Sequence, residues 1–327
     1  NGNVDITYKV NDGTTTTAAS QSFTVIPANN TFFSITDNQA SQLILEGFSY
    51  LSTDTVEVTN EEDNSILKTS FQDLQKLGVD SVLVTGSETS MTVDLGHMGD
   101  GVLAGQLSGG SLPIFGDTNH DGILSAGEDN ALSVTLNLDQ VDVATQMGHV
   151  VDLATQLSAA GIDYIGVNGN QSGDITISDA QASILVGAGL AFSDANASGA
   201  NVDHTTVDVG AATGTHLKTS LQDLQKLGVD TVLVTGGETS MTVDLGTPGQ
   251  GIDSTLQLSG AHIPVFGDTN GDGILSAQED AALAVTLNLD QADVATQMDH
   301  VVDLASQLSL AGIDYIGVNA DQAGSIT

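Results

Sequence analysis

The chain repeats itself, and the length of the repeat is the strongest constraint on its fold. Lys68-Thr-Ser-Phe-Gln-Asp-Leu-Gln-Lys-Leu-Gly-Val-Asp80 recurs almost unchanged at 218–230. Asp117-Thr-Asn119-His-Asp121-Gly122-Ile123-Leu-Ser125-Ala-Gly-Glu128 recurs at 268–279, and Ile35-Thr-Asp-Asn-Gln-Ala-Ser41 pairs with 177–183. The offset of about 150 residues exceeds the 20 to 50 of solenoid units, so each copy is expected to be a self-contained domain in a tandem array. The second copy carries about eight extra residues in the Gly/Ala/Asn/Ser-rich stretch 193–203 and one near 248–253, both of loop composition. Residues 317–327 match 166–176, the stretch just before the second copy, so that in a longer chain a third copy could start at 328, and the opening Asn1-Gly-Asn-Val has neither methionine nor a signal sequence. The expected layout is a leading segment 1–34, a first repeat 35–176 and a second repeat 177–327, cut from a longer chain.

Composition narrows the partners. Among 327 residues, 42 acidic side chains face five lysines and no arginine, a formal charge of −37, although only 14% of residues are charged. Such a surface has no cationic patch for phosphates or anionic lipid head groups, so nucleic acid is excluded as a partner and cations are expected. With zero cysteine there are no disulfides, thiol nucleophiles or thiolate metal sites. No apolar run reaches the 18 or so residues of a membrane span, and no direct membrane insertion is expected.

Within each copy the hydrophobic period alternates between that of helix and strand. Thr36 with Gln39, and Ser178 with Gln181, are capping boxes opening a helix. Strands are expected at 54–59 and 205–209, then a helix with Leu67, Phe71, Leu74 and Leu77 on one face, matched by Leu217, Leu221, Leu224 and Leu227. Gly78 and Gly228 stand where a left-handed cap is wanted, with Val79 and Val229 closing over them. Strands follow at 81–85 and 231–235. Later comes a strand at 134–138, a helix with Val143, Met147, Val150, Ala154 and Leu157 in one stripe, a Gly161 cap and a strand at 164–167, repeated at 315–318. Strand, helix and strand thus recur twice per copy, which predicts α/β tandem repeat domains with two βαβ units each and a mostly parallel sheet. Residues 1–34 differ: 5–10 and 22–26 alternate with period two around Asn11-Asp12-Gly13, a β-hairpin pattern.

One motif carries specific chemistry. In Asp117 to Glu128, the side chains of Asp117, Asn119 and Asp121 supply oxygens from one side of a tight turn and Gly122 permits the bend. The Ile123 carbonyl, Ser125 and a bidentate Glu128 complete a set of hard oxygen ligands. Asp268, Asn270, Asp272, Ile274, Ser276 and Glu279 repeat the set around Gly273. The pattern resembles the twelve-residue EF-hand loop, which implies one Ca²⁺ per repeat. Pro113 and Pro264 make the incoming side a poor helix, so the loop is closer to extracellular, dockerin-like forms with a single exiting helix. Dockerins place two loops in one small domain and usually close with Asp. One loop per repeat closing with Glu gives no ground for carrying over their cohesin-binding role. Three acidic ligands suit a modest affinity that millimolar external calcium fills, and five methionines in the chain, none beside a loop, do not make the Met-rich groove of a sensor.

Catalytic signals are absent at the level of motif, and no enzymatic activity is expected. His120 sits in the first loop, but Gly271 replaces it in the second; His149 and His300 read as ordinary helical histidines. Neither nucleophile-elbow, P-loop, zincin nor dinucleotide fingerprint is present. Lys68, Lys76, Lys218 and Lys226 are expected to balance nearby carboxylates such as Asp73 and Asp223 or to contact a neighbouring domain, and the Asp/Asn-rich stretches 61–63 and 168–174 read as solvated loops, with further calcium at domain junctions as the alternative.

The opening Thr7-Tyr-Lys-Val-Asn-Asp-Gly13 and Ser22-Phe-Thr-Val-Ile-Pro-Ala-Asn29 resemble the closing strands of the cadherin-like or immunoglobulin-like repeats of large bacterial surface proteins. Together with the tandem copies, the acidity and the calcium loops, the chain is similar to repetitive adhesins, fibres and surface-layer proteins. That resemblance implies a secreted, cell-surface location, a structural role, and partners that are neighbouring repeats or subunits of the same array and cell-surface ligands. The other reading is a non-catalytic partner- or carbohydrate-binding accessory region of a larger secreted enzyme, which zero tryptophan and 4% aromatic content supply poorly.

Overall fold

The computed structural model describes residues 31–60, 67, 69–85, 90–94, 112–116, 132–138, 143–167, 174–193, 204–210, 216–244, 263–268, 283–289 and 294–318, together with the backbone pairing of 2–11 and 16–25. Strands β1 (Gly2–Asn11) and β2 (Thr16–Val25) form an antiparallel hairpin, in register from Gly2 opposite Val25 to Asn11 opposite Thr16. Both strands are longer than the alternation at 5–10 and 22–26 predicts.

From residue 32 onward the described strands form four parallel sheets. The first holds β3 (Phe32–Thr36), β4 (Thr55–Asn60), β5 (Ser81–Val84) and β7 (Ile114–Gly116), in that order. The second runs β6 (Ser90–Asp94), β8 (Ser133–Leu138), β9 (Tyr164–Val167) and β11 (Ala191–Phe192). The third repeats the first with β10 (Asp174–Ser178), β12 (His204–Val209), β13 (Thr231–Val234) and β15 (Val265–Gly267). The fourth repeats the second with β14 (Ser240–Asp244), β16 (Ala284–Leu289) and β17 (Tyr315–Val318).

Parallel neighbours need a crossover, and helices supply it. Helix α1 (Asp37–Leu45) lies between β3 and β4, α2 (Phe71–Leu77) between β4 and β5, and α3 (Val143–Ala159) between β8 and β9. Helices α4 (Asp179–Ala188), α5 (Leu221–Leu227) and α6 (Val294–Leu310) are their counterparts in the second copy. The architecture is α/β, as the alternating periods predict.

Local chemistry fixes the helix ends. Both capping boxes form, Thr36 with Gln39 and Ser178 with Gln181. Ser70 and Ser220 cap α2 and α5 by accepting the amides of Asp73 and Asp223. Leu67 and Leu217 are therefore not helical. They are fully buried but precede the cap, and each donates its amide to the carbonyl of Thr92 or Thr242 beside it. Their spacing from Phe71 and Leu221 mimics a helical turn, but the helices begin only after them. Gly78 and Gly228 close the helices in the left-handed region, and Val79 and Val229 return hydrogen bonds to Leu74 and Leu224.

The strands bury alternate residues. In β8, Val134, Leu136 and Leu138 face the core while Ser133, Thr135 and Asn137 are half-buried. One hydrophobic cluster takes in the buried faces of all four sheets with Leu74, Met147, Leu185 and Leu224 of the helices. The sheets also interleave along the chain: β6 opens the second sheet before β7 has closed the first. Likewise β11, from beyond the sequence boundary at 176/177, closes the sheet of the first copy by pairing with β9. That boundary falls inside β10. Sequence repeat and sheet are thus out of phase.

Two left-handed glycines separate backbone strain from packing. A Cβ on Gly189 (φ 78°) would meet nothing within 4 Å, whereas one on Gly228 (φ 84°) would lie 2.9 Å from the Phe192 carbonyl oxygen. Gly189→Ala is expected to cost about 1–2 kcal/mol, the strain of the left-handed conformation. Gly228→Ala adds a clash with backbone of about 1–3 kcal/mol. Denaturant unfolding of the two variants should show Gly228→Ala clearly the more destabilised.

Candidate metal centre

The first loop, with Asp117, Asn119, Asp121, Ile123, Ser125 and Glu128, lies outside the described residues. So do Asn270, Asp272, Ile274, Ser276 and Glu279 of the second, and the expected exiting helices at 128–131 and 279–282. The frame of each loop is described, and so is the first ligand position of the second. Strand β7 ends at Gly116, immediately before Asp117, and the incoming 114–116 is strand rather than helix, in keeping with Pro113. Leu132 is buried just before β8 begins. Val265–Gly267 and Leu283 frame the second loop in the same way.

This frame has a topological meaning. Strand β7 is the last of the first sheet, and β8 belongs to the second; β15 and β16 stand in the same relation. Each loop therefore carries the chain from one sheet into the next. Asp268 follows directly on β15, its amide donating to the Val234 carbonyl at 2.9 Å, and the residue is buried to 3% exposure. A carboxylate at that depth is stable only with hydrogen-bond donors or a cation at hand. The rest of the set in sequence is oxygen as well, a donor chemistry suited to a hard divalent ion rather than to zinc or copper.

Several acidic residues outside the loops are absorbed by the fold. Asp80, Asp163, Asp230 and Asp314 end the Gly-Val-Asp or Gly-Ile-Asp turns after α2, α3, α5 and α6. The carboxylate of each accepts the amide of a residue at the start of the preceding strand: Val56 at 2.8 Å, Val134 at 2.9 Å, Thr205 at 2.8 Å and Val285 at 3.0 Å. The amides of the four aspartates return a bond to the carbonyls of the same four residues. Each clasp thus pins the exit of a crossover to the strand it left. The sequence carried the signal, four aspartates after four cap glycines, but read alone it showed a helix stop and no clasp.

Asp179 joins different elements. Its carboxylate accepts the amides of Lys218 and Thr219, and that of Asp37 accepts the amide of Thr69. Both tie the start of one helix to the segment before the next. Lys76 and Lys226 pair with Asp73 and Asp223 at 3.1 and 3.4 Å, as the spacing predicts. His149 and His300 are half-buried on α3 and α6. Burial pushes the Glu57 carboxyl and the Tyr50 hydroxyl above their ordinary values, and neither belongs to a loop. Among the described residues no cluster of three or more His, Asp or Glu is placed to hold a metal ion. The stretch 61–63 lies outside the described residues, as does 168–174 apart from Asp174, which is exposed at the start of β10.

Comparison of the chain with protein-family models and with curated protein sequences returned no match.

The clasp aspartates are expected to be indifferent to calcium. Asp163→Ala strands the Val134 amide and should cost about 1–3 kcal/mol. Chemical denaturation should give the same loss in calcium and in EGTA, whereas a loop variant should lose stability only in calcium.

Proposed function

We propose that this chain is a calcium-stabilised structural repeat region of an extracellular bacterial surface adhesin or fibre, without catalytic activity of its own. The observation that carries the reading is the recurrence of the complete loop pattern at two equivalent crossings between sheets. An ion held by Asp117, Asn119, Asp121, Ile123, Ser125 and Glu128 ties the end of β7 to the start of β8. Asp268, Asn270, Asp272, Ile274, Ser276 and Glu279 do the same between β15 and β16. Calcium supplies charge neutralisation as well as ligation. At −37 the folded chain repels itself, and a bound divalent ion reduces that cost at the loop. Among the described residues each copy has three helical crossovers, β3–α1–β4, β4–α2–β5 and β8–α3–β9 in the first, one more than the two βαβ units expected, and the loop joins the first two to the third.

The hairpin β1–β2 is read as the closing strands of a preceding immunoglobulin-like or cadherin-like domain. Its antiparallel pairing supports this, because two strands alone are marginal in water and belong to a larger sheet. The partners of the array are neighbouring repeats or subunits and cell-surface ligands.

Thermal unfolding tests the calcium reading. Calcium at a hundred times Kd should stabilise each site by about 2.7 kcal/mol, so the wild type melts higher in calcium than in EGTA. Glu128→Gln combined with Glu279→Gln removes the bidentate ligand from both loops and should abolish most of that difference. A wild-type Tm unmoved by calcium contradicts the reading.

A further inference from the structure

The two twelve-residue loops open on the same frame but not beside the same side chains. In the second copy, β13 pairs with β15 as far as Val234 opposite Gly267. One residue further, the Asp268 amide still donates to the Val234 carbonyl at 2.9 Å, so Thr235 stands beside the first ligand position of the loop. The Thr235 amide donates to the Val209 carbonyl of β12 at 3.2 Å, and its hydroxyl donates to the Asp208 carboxylate at 2.7 Å. Asp208 is in register with Leu233, and Leu233 with Phe266. On strand spacing, the Cα atoms of Asp208 and Asp268 are about 12 Å apart, with Thr235 between them. A hydroxyl whose proton is committed to Asp208 has only lone pairs left to offer. Beside Asp268, which is 3% exposed, such lone pairs favour a cation.

The first copy keeps the frame and lacks the acid. Val84 pairs with Gly116, the residue before Asp117, and Thr85 follows Val84 as Thr235 follows Val234. Thr59 is the counterpart of Asp208, since it is in register with Leu83 as Asp208 is with Leu233. Its hydroxyl donates to the Ile35 carbonyl of β3 at 3.3 Å. The Thr85 hydroxyl is buried and makes no hydrogen bond to any described residue. In the second copy Asp208 is the acceptor for that hydroxyl; in the first, no described group takes its place. The exchange of Asp208 for Thr59 removes one negative charge from the surroundings of the first loop, while the six ligand positions are the same in both.

We propose that the residues flanking each loop set its calcium affinity: Asp208, acting through Thr235, makes the second loop the tighter site, and the first, flanked by Thr59 and Thr85, fills only at higher calcium. Calcium affinity follows the charge gathered at the site. One added negative charge at this range tightens a divalent ion by roughly three- to tenfold at an effective dielectric between those of protein surface and water. Asp208 is a positioning residue: it holds the Thr235 hydroxyl and lends its charge without being a ligand. The molecule then stiffens in two steps as calcium rises, at the β15–β16 passage first and at the β7–β8 passage second. This rests on the calcium reading of the loops and deepens it by making the two sites unequal.

Isothermal titration calorimetry of calcium into the whole, calcium-stripped chain tests it one loop at a time. Glu128→Gln leaves the second loop to be read alone, and Glu279→Gln the first. The second loop should bind roughly three- to tenfold tighter than the first, with potassium chloride narrowing the margin by screening. Asp208→Thr should remove most of that margin from the second loop and leave the first loop's Kd unchanged. Asp208→Asn keeps an acceptor for Thr235 but not the charge, and should act in the same direction. Thr59→Asp should tighten the first loop. Circular dichroism checks that each variant is folded, and if Thr59→Asp is not, the two Asp208 variants decide alone. Equal affinities, a second loop indifferent to either Asp208 variant, or an effect shared equally by the first loop overturns the proposal while leaving calcium binding intact. No heat of binding at either loop removes the calcium reading and the proposal with it.

Discussion

Four aspartates hold four of the six described helical crossovers in place. A parallel sheet brings distant segments together, so its strands gain nothing from a tight hairpin and depend on whatever fixes the return of the chain. Here the return is fixed by a left-handed glycine that stops the helix and an aspartate two residues later that exchanges two hydrogen bonds with the strand before it. The same clasp serves helices of 7 and of 17 residues. It constrains the exit, and the length of the helix between is free to vary.

Once the crossovers are fixed, the sheets can interleave. Each sheet begins before the previous one is complete, and the strand that finishes the second sheet comes from the second copy. The hydrophobic core is accordingly continuous along the array. Loops that pass from one sheet to the next sit where a cross-link has most mechanical effect, and both twelve-residue loops occupy such passages. A chain of −37 has ample acid to fill them, and the clasps account for part of the remainder without any metal.

Much of this was legible in the sequence, for identifiable reasons. Capping boxes, cap glycines and the Met147–Val150–Ala154–Leu157 stripe are local signals, and the helices follow them. Strands with one face buried and the other half-buried, such as β8, showed their period directly. The short strands were not legible. Ala191–Phe192 is two residues long and has no period at all, and Ile114–Gly116 is hidden by the proline before it. Ser90–Asp94 does alternate, with Met91 and Val93 buried, but its partner β8 lies beyond an intervening strand of another sheet. Leu67 misled because burial was legible and conformation was not. The loop ligands are the most explicit pattern in the sequence, and of them the structure describes Asp268 alone.

An ion held in each loop, as proposed, would bind adjoining sheets together, and native-state hydrogen exchange with and without calcium reads that coupling strand by strand. Calcium should slow exchange most for amides of β7 and β8 and of β15 and β16, on either side of the loops, with smaller effects in α1 and α4. Exchange that is unchanged at those four strands, or slowed equally everywhere, would contradict the clamp.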